Sequence, residues 1–282
     1  MSNIFSGLEQ FGLGKLTKME VYEEEVVKKE QAEQGSAAVV HEVSEADVLF
    51  DKTYVCPVCD KEFKSKTIRT GKVKLISADT DLRPKYQDVD SLKYDVSVCP
   101  TCGYAATNRF FNTMTSPQAK LIKEQISSNF KGLKQEGDII SYDEAIANHK
   151  LALVNTIVKR GKNSERAYTC LKLGWLLRGK AETLPEDTDN IHQVREELAK
   201  EEKEFLANAY DGFTNAFSKE MFPMCGMDEI TLTYLMADLA RRTGKHDEAS
   251  RWVSKVITSR TANERIKEKA RDIKELLLKE LE

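Results

Sequence analysis

Two short stretches decide the fold: Tyr54-Val55-Cys56-Pro57-Val58-Cys59 and Val98-Cys99-Pro100-Thr101-Cys102-Gly103. Each contains a Cys-x-x-Cys pair, and 39 residues lie between the pairs. Two cysteines at this spacing sit on one tight turn and point their sulfurs the same way. Two such turns supply four thiolates to one tetrahedral ion, for which zinc is the first choice. Pro57 and Pro100 preset φ for the turns. Gly103 follows the second pair and takes a left-handed conformation without steric cost. Asp60 holds the matching place after the first pair and tolerates that conformation better than most residues. The expected ligands are Cys56, Cys59, Cys99 and Cys102. All four are sulfurs, so no position stays open for water, and such a closed site is structural rather than hydrolytic.

The flanks of the pairs read as strands. Thr67–Ile76 reads as a hairpin with its turn near Gly71, and Lys93–Val98 alternates and runs into the second pair. The result is a zinc-ribbon-like module over residues 52–112. Sixty residues bury little core, so metal binding would supply much of its folding free energy. A tetrathiolate with a C-P-x-C-G turn also resembles rubredoxin, which makes iron, and with it a redox carrier, the alternative to Zn2+.

Between the pairs lies Asp79-Thr80-Asp81-Leu82-Arg83-Pro84-Lys85-Tyr86. One reading makes Asp79, Asp81, Arg83 and Tyr86 a polar surface for a ligand. The other makes the aspartates turn caps that pair with Arg83. The second is favoured, because no His, Ser or Cys accompanies them as base or nucleophile. No catalytic constellation assembles elsewhere, so the chain does not read as an enzyme. Arg69, Lys72, Lys74 and Lys85, with Phe63, Tyr86 and Tyr94 as base-stacking candidates, raise nucleic-acid binding as an alternative function.

The runs Tyr54–Cys59, Asp79-Thr80-Asp81 and Val98-Cys99-Pro100-Thr101-Cys102-Gly103-Tyr104-Ala105-Ala106 resemble a bacterial family known as a domain of unknown function. The resemblance covers roughly residues 50–230. It implies a metal-binding front and a helical back, and no reaction.

Residues 113–282 read as helices. Ser116-Pro117 opens the first, which runs to Gly137. Ser141 with Glu144 makes a capping box for the second, which carries His149 as a packed core histidine and stops near Gly161. A third runs from Ser164 with Cys170 in the core, and Leu184-Pro185 interrupts. A long fourth runs from Asn190 to the stop at Phe222-Pro223. Asp228 caps the fifth, a sixth ends near Ser259, and Thr261 with Glu264 caps the last. Ala237, Ala240, Gly244, Ala249, Val253 and Val256 fall at the offsets of a tetratricopeptide repeat (TPR). Cys225 reads as an exposed loop thiol, His192 and His246 as solvated, and Trp175 and Trp252 as packing residues.

Residues 1–51 carry 4 basic and 11 acidic side chains and read as an acidic flexible tail. Its start, Ile4–Leu16, holds apolar residues at helical spacing and reads as a short docking segment. His41 reads as a bystander. The cysteine module carries 11 basic against 7 acidic side chains, and the net charge of −3 implies no partner by itself. No apolar run is long enough to span a bilayer. The N-terminus lacks the basic-then-apolar pattern of a secretory signal. Cysteines paired for metal suit a reducing compartment, so the expected location is the cytoplasm. The expectation is therefore an α+β protein: a small antiparallel zinc-ribbon-like β module followed by an all-α TPR-like helical array. Its expected role is an adaptor or scaffold that binds another protein through the helices or the N-terminal segment.

Overall fold

Each cysteine pair sits where a β-hairpin doubles back. A computed structural model describes residues 44–133 and 137–281. Strand β1 (Leu49–Val55) runs into the first pair, and β2 (Glu62–Ile68) leaves it antiparallel to β1. Strand β5 (Val96–Val98) enters the second pair, and β6 (Ala105–Thr107) leaves it in the same way. Between them β3 (Leu75–Ala78) pairs with β4 (Pro84–Tyr86). The described strands thus form three separate two-stranded sheets. The expected docking segment and His41 lie outside the described residues. Residues 45–51, at the end of the expected tail, already form a 3-10 turn and the start of β1.

Two expectations for this region are corrected. The hairpin over 67–76 does not form: β2 is already committed to β1 by the cysteine turn, and β3 folds back on β4 instead. The return is set by the 79–83 loop, where Asp79 N donates to Arg83 O (2.9 Å) and Leu82 N to Asp79 O (3.0 Å). Residues 93–98 are not one strand. Ser91–Tyr94 is a 3-10 turn capped by Asp90, which accepts from Leu92 N, and β5 starts only at Val96.

Seven helices follow among the described residues: α1 (Ser116–Ile122), α2 (Tyr142–Val158), α3 (Asn163–Glu182), α4 (Ile191–Phe217), α5 (Glu229–Arg242), α6 (His246–Thr258) and α7 (Glu264–Leu281). Helix α1 is capped by Thr115, whose N–H donates to Gln118 Oε1 at 3.0 Å. It does not reach Gly137. It passes into a π-helical turn at Lys123–Ser127 and stops, and Phe130 then turns back onto the second cysteine pair. The Ser141–Glu144 capping box forms as expected. Helix α4 ends at Phe217, five residues before Phe222-Pro223. Helix α7 is not capped by Thr261: Asn263 Oδ1 accepts from Ile266 N at 3.0 Å.

The helices pack in sequence order, α2 on α3, α3 on α4, α4 on α5, α5 on α6 and α6 on α7. Helices α5 and α6 form a hairpin that buries Ala237, Ala240, Ala249, Val253 and Val256, with Gly244 at φ +80° in the turn. His149 and Cys170 are core residues, and Trp175 is buried while Trp252 packs at the core's edge. His192 is exposed and His246 half-buried. Cys225 is not exposed. It is buried, and its Sγ donates to Ser164 O at 3.3 Å. Val48, Leu49, Leu92 and Tyr94 share the main core with α3 and α4, so the cysteine-bearing part and the helices are one packed unit. Among the described residues no helix is long and apolar enough to cross a membrane.

Candidate metal centre

The two cysteine turns follow one hydrogen-bond template. In the first, Cys56 N donates to Lys61 O (3.0 Å) and Asp60 N to Cys56 O (2.9 Å). In the second, Cys99 N donates to Tyr104 O (2.8 Å) and Gly103 N to Cys99 O (3.0 Å). The residue after each pair is left-handed, Asp60 at φ 58° and Gly103 at φ 73°. The sequence dictates this locally: proline fixes the turn's entry, and a residue tolerant of positive φ closes it.

The two turns face one another. The four sulfurs of Cys56, Cys59, Cys99 and Cys102 all lie within 4.8 Å of one another. Cys56 to Cys102 and Cys59 to Cys99 are each 3.6 Å. A tetrahedral ion with metal–sulfur bonds of about 2.3 Å separates its sulfurs by roughly 3.8 Å, so the quartet fits a tetrathiolate with little adjustment. Cys56, Cys99 and Cys102 are buried and Cys59 is half-buried.

A hydrogen bond from Cys102, with help from backbone amides and against the penalty of burial, brings the Cys56 thiol down to about 5. The same bond and burial push Cys102 far up, and burial pushes Cys99 to about 11. Cation binding to four thiols releases their protons, so affinity for a metal at such a quartet would rise with pH.

The centre stands on an aromatic floor. Tyr54 stacks on Phe63, and Phe111 lies against Tyr54, Phe63 and Tyr104 with ring centroids 5.1 to 5.8 Å apart. The Tyr104 hydroxyl donates to Phe111 O at 2.9 Å. Helix α2 then grips the second turn, because the buried Asn155 donates Nδ2 to Gly103 O at 3.1 Å. Asn155 carries no sequence signal beyond being a polar residue among apolar helix positions.

The polar stretch between the cysteine pairs is spent inside the molecule. Asp81 is fully buried. It accepts from Trp175 Nε1 at 3.1 Å and from Arg178 Nη2 at 2.6 Å. Burial raises its pKa, and the bonds and charge of Arg178, with Arg242 behind, outweigh this and hold it below the usual carboxylate range. Asp79 pairs with Arg83 (2.8 Å) and Arg178 (2.9 Å). Arg83 also bonds Glu182. Thr80 Oγ1 donates to Asp238 at 2.7 Å, and Tyr234 donates to Thr80 O at 2.7 Å. Asp79, Asp81 and Arg83 are thus brought together, with partners on α3 and α5. Tyr86 lies on β4, half-buried and opposite Leu75, and lines a cavity together with Arg83. Arg178, Trp175 and Asp238 were not legible as partners. The one local sign is an arginine directly after the apolar pair Leu176-Leu177. Of the stacking candidates, Phe63 and Tyr94 are buried. Arg69 donates Nε to Leu49 O at 3.1 Å.

The family model described as uncharacterized protein conserved in bacteria (DUF2225) matches residues 49–277, and the chain belongs to that family. The match spans both cysteine turns and all seven helices up to the last turn of α7. Comparison with curated proteins and with solved structures finds no match.

Proposed function

We propose that the protein is an adaptor or scaffold for another protein, organised by a structural zinc site. The observation that carries this reading is the closed quartet of sulfurs, gathered within 4.8 Å and with three of the four cysteines buried. Such a site leaves no coordination position for water or substrate, so its task is to hold chain segments together. The helical part supplies the binding surface. Its α5–α6 hairpin has the buried small residues and the left-handed glycine turn that a TPR-like pair requires. Helices α2 to α7 differ in length, from 13 to 27 residues, so the array is irregular and its groove is not that of a regular repeat. The nucleic-acid alternative draws less support. Phe63 and Tyr94 are buried under the centre and the core, so two of its three stacking residues present no face to a base. None of the six cysteines is in a disulfide, which fits the cytoplasm.

Metal analysis of the purified protein with its visible spectrum is the test. The expected result is one zinc per chain and no colour. Iron with thiolate charge-transfer bands would replace the scaffold reading with electron transfer. Cys99→Ser is expected to lose the metal and to lower the melting temperature, and unchanged values for both would end the metal reading. Binding of a mixed-sequence oligonucleotide that weakens steeply with salt would move the function to nucleic acid.

A further inference from the structure

The four sulfurs of the quartet are not equally sheltered. Cys56, Cys99 and Cys102 are buried, and Cys59 is half-buried. The difference comes from the two turns. In the second, Gly103 lies under the Phe130 ring and Asn155 of α2 holds its carbonyl. Its tip, Pro100 and Thr101, meets solvent, yet both cysteines beneath are buried. The first turn stands open. Asp60 is exposed, and Val55 ahead of the pair is 59% exposed. A cavity of about 420 Å³ is lined by Pro57, Val58 and Asp60, the residues on either side of Cys59. Solvent thus approaches the quartet at Cys59.

The sulfurs also fall into pairs. Cys59 Sγ lies 3.6 Å from Cys99 Sγ, and Cys56 Sγ 3.6 Å from Cys102 Sγ, each pair reaching across the two turns. Ligation to a metal keeps every sulfur a thiolate, the form that attacks an oxidant, so exposure decides which one reacts first.

We propose that the quartet is a target for hydroperoxides, which meet it at Cys59 and leave a disulfide between Cys59 and Cys99; this rests on the reading of the quartet as a metal site. The Cys59 thiolate attacks the terminal oxygen of the hydroperoxide. An S–O bond forms, the O–O bond breaks, and the leaving alkoxide takes a proton and departs as the alcohol. The Cys99 thiolate then attacks the Cys59 sulfur. The S–S bond forms, the S–O bond breaks, and the leaving hydroxide takes a proton and becomes water. The two sulfurs together lose two electrons and the hydroperoxide gains two. Cys56 and Cys102 are then the remaining thiolates, two where four had closed the site, and they no longer retain the ion. The new bond ties the β1–β2 hairpin to the β5–β6 hairpin, between residues 40 positions apart in the chain. The turns therefore stay together when the metal is lost. A bond within the first turn, from Cys56 to Cys59, would instead leave the hairpins untied.

The test treats the metal-loaded full-length protein with equimolar tert-butyl hydroperoxide. Metal release to a chelating dye, non-reducing peptide mapping and circular dichroism are read on the same samples. Metal release is expected to track formation of the Cys59–Cys99 crosslink, with the helical signal kept. Cys170 and Cys225, buried outside the quartet, are expected to stay reduced. Brief iodoacetamide labelling of the unoxidised protein needs no variant, and it is expected to mark Cys59 severalfold ahead of Cys56, Cys99 and Cys102. Equal labelling of the four, a main disulfide within one turn, or a crosslink that leaves the metal bound would each overturn the proposal. Metal content before the oxidant is added judges the metal reading separately. Metal-free protein ends that reading, while the labelling order and the mapped pair decide this one on the sulfurs alone.

Discussion

The two cysteine turns share a backbone template and differ in everything around it. The first is at the edge of the molecule. Its closing residue, Asp60, is exposed, and Cys59 is half-buried. The second is inside. Gly103 is buried, a Cβ placed on it would lie 2.6 Å from the Phe130 ring, and its carbonyl is held by Asn155 from α2. The same positive φ is thus met by two different demands. At the open turn the backbone alone selects the residue, and aspartate suffices. At the covered turn packing adds a second requirement, and only glycine meets both. One turn only completes the cysteine quartet. The other completes the quartet and is also a joint to the helices.

Gly103→Ala puts the largest strain on that contrast. The methyl group must enter space occupied by Phe130 and must hold a left-handed backbone. Strain at φ and overpacking together are expected to cost roughly 2–4 kcal/mol. Denaturant unfolding of the purified protein measures it. A loss below about 0.5 kcal/mol, the noise of a neutral surface change, would mean that Phe130 does not cover the turn, and the two knuckles would then be equivalent.

The contrast also marks where sequence reading stops. The cysteine turns were legible because their determinants are local: proline, two cysteines and a φ-tolerant residue within five positions. Most of the helices were legible for the same reason, down to the Ser141–Glu144 box and the small residues that join α5 to α6, while the end of α1 and the cap of α7 were misread. What failed depends on distant partners. Val73 and Leu75 alternate like the far arm of a hairpin, but β2 had been claimed by β1 through the first turn, and the alternation around Gly71 could not show that. The polar stretch was visible as aspartates beside Arg83, yet the residues that consume it, Trp175, Arg178 and Asp238, lie on α3 and α5. Nothing within several residues of Asp81 announces that it will be fully buried. The aromatic rings considered for base stacking were likewise visible as rings, while their burial is a tertiary fact.

Asn155→Leu tests the joint rather than the turn. It removes the bond to Gly103 O and leaves that buried carbonyl with one partner fewer. The expected loss is about 1–3 kcal/mol, the penalty of an orphaned buried acceptor. The diagnostic reading is where the loss appears. Amide exchange is expected to quicken at Cys99–Tyr104 and to stay unchanged at Cys56–Lys61, because only the second turn is fastened to α2. Equal quickening at both turns would mean that the cysteine quartet as a unit, and not Asn155, transmits the support.

Asp60→Gly is the gentlest of these changes and the sharpest check on the idea that the first turn answers to its backbone alone. Asp60 is exposed, and its N–H bond to Cys56 O survives the substitution. Glycine removes the cost of a side chain at φ 58°, an advantage of about 1 kcal/mol. It also adds freedom to the unfolded chain, which takes back about 0.4–1 kcal/mol. The expected net effect lies within roughly half a kcal/mol of zero, with metal content unchanged. A loss above 1 kcal/mol would show that the aspartate side chain does something for the first turn beyond tolerating its backbone, and the exposed knuckle would then need a partner of its own, as the buried one has in Asn155.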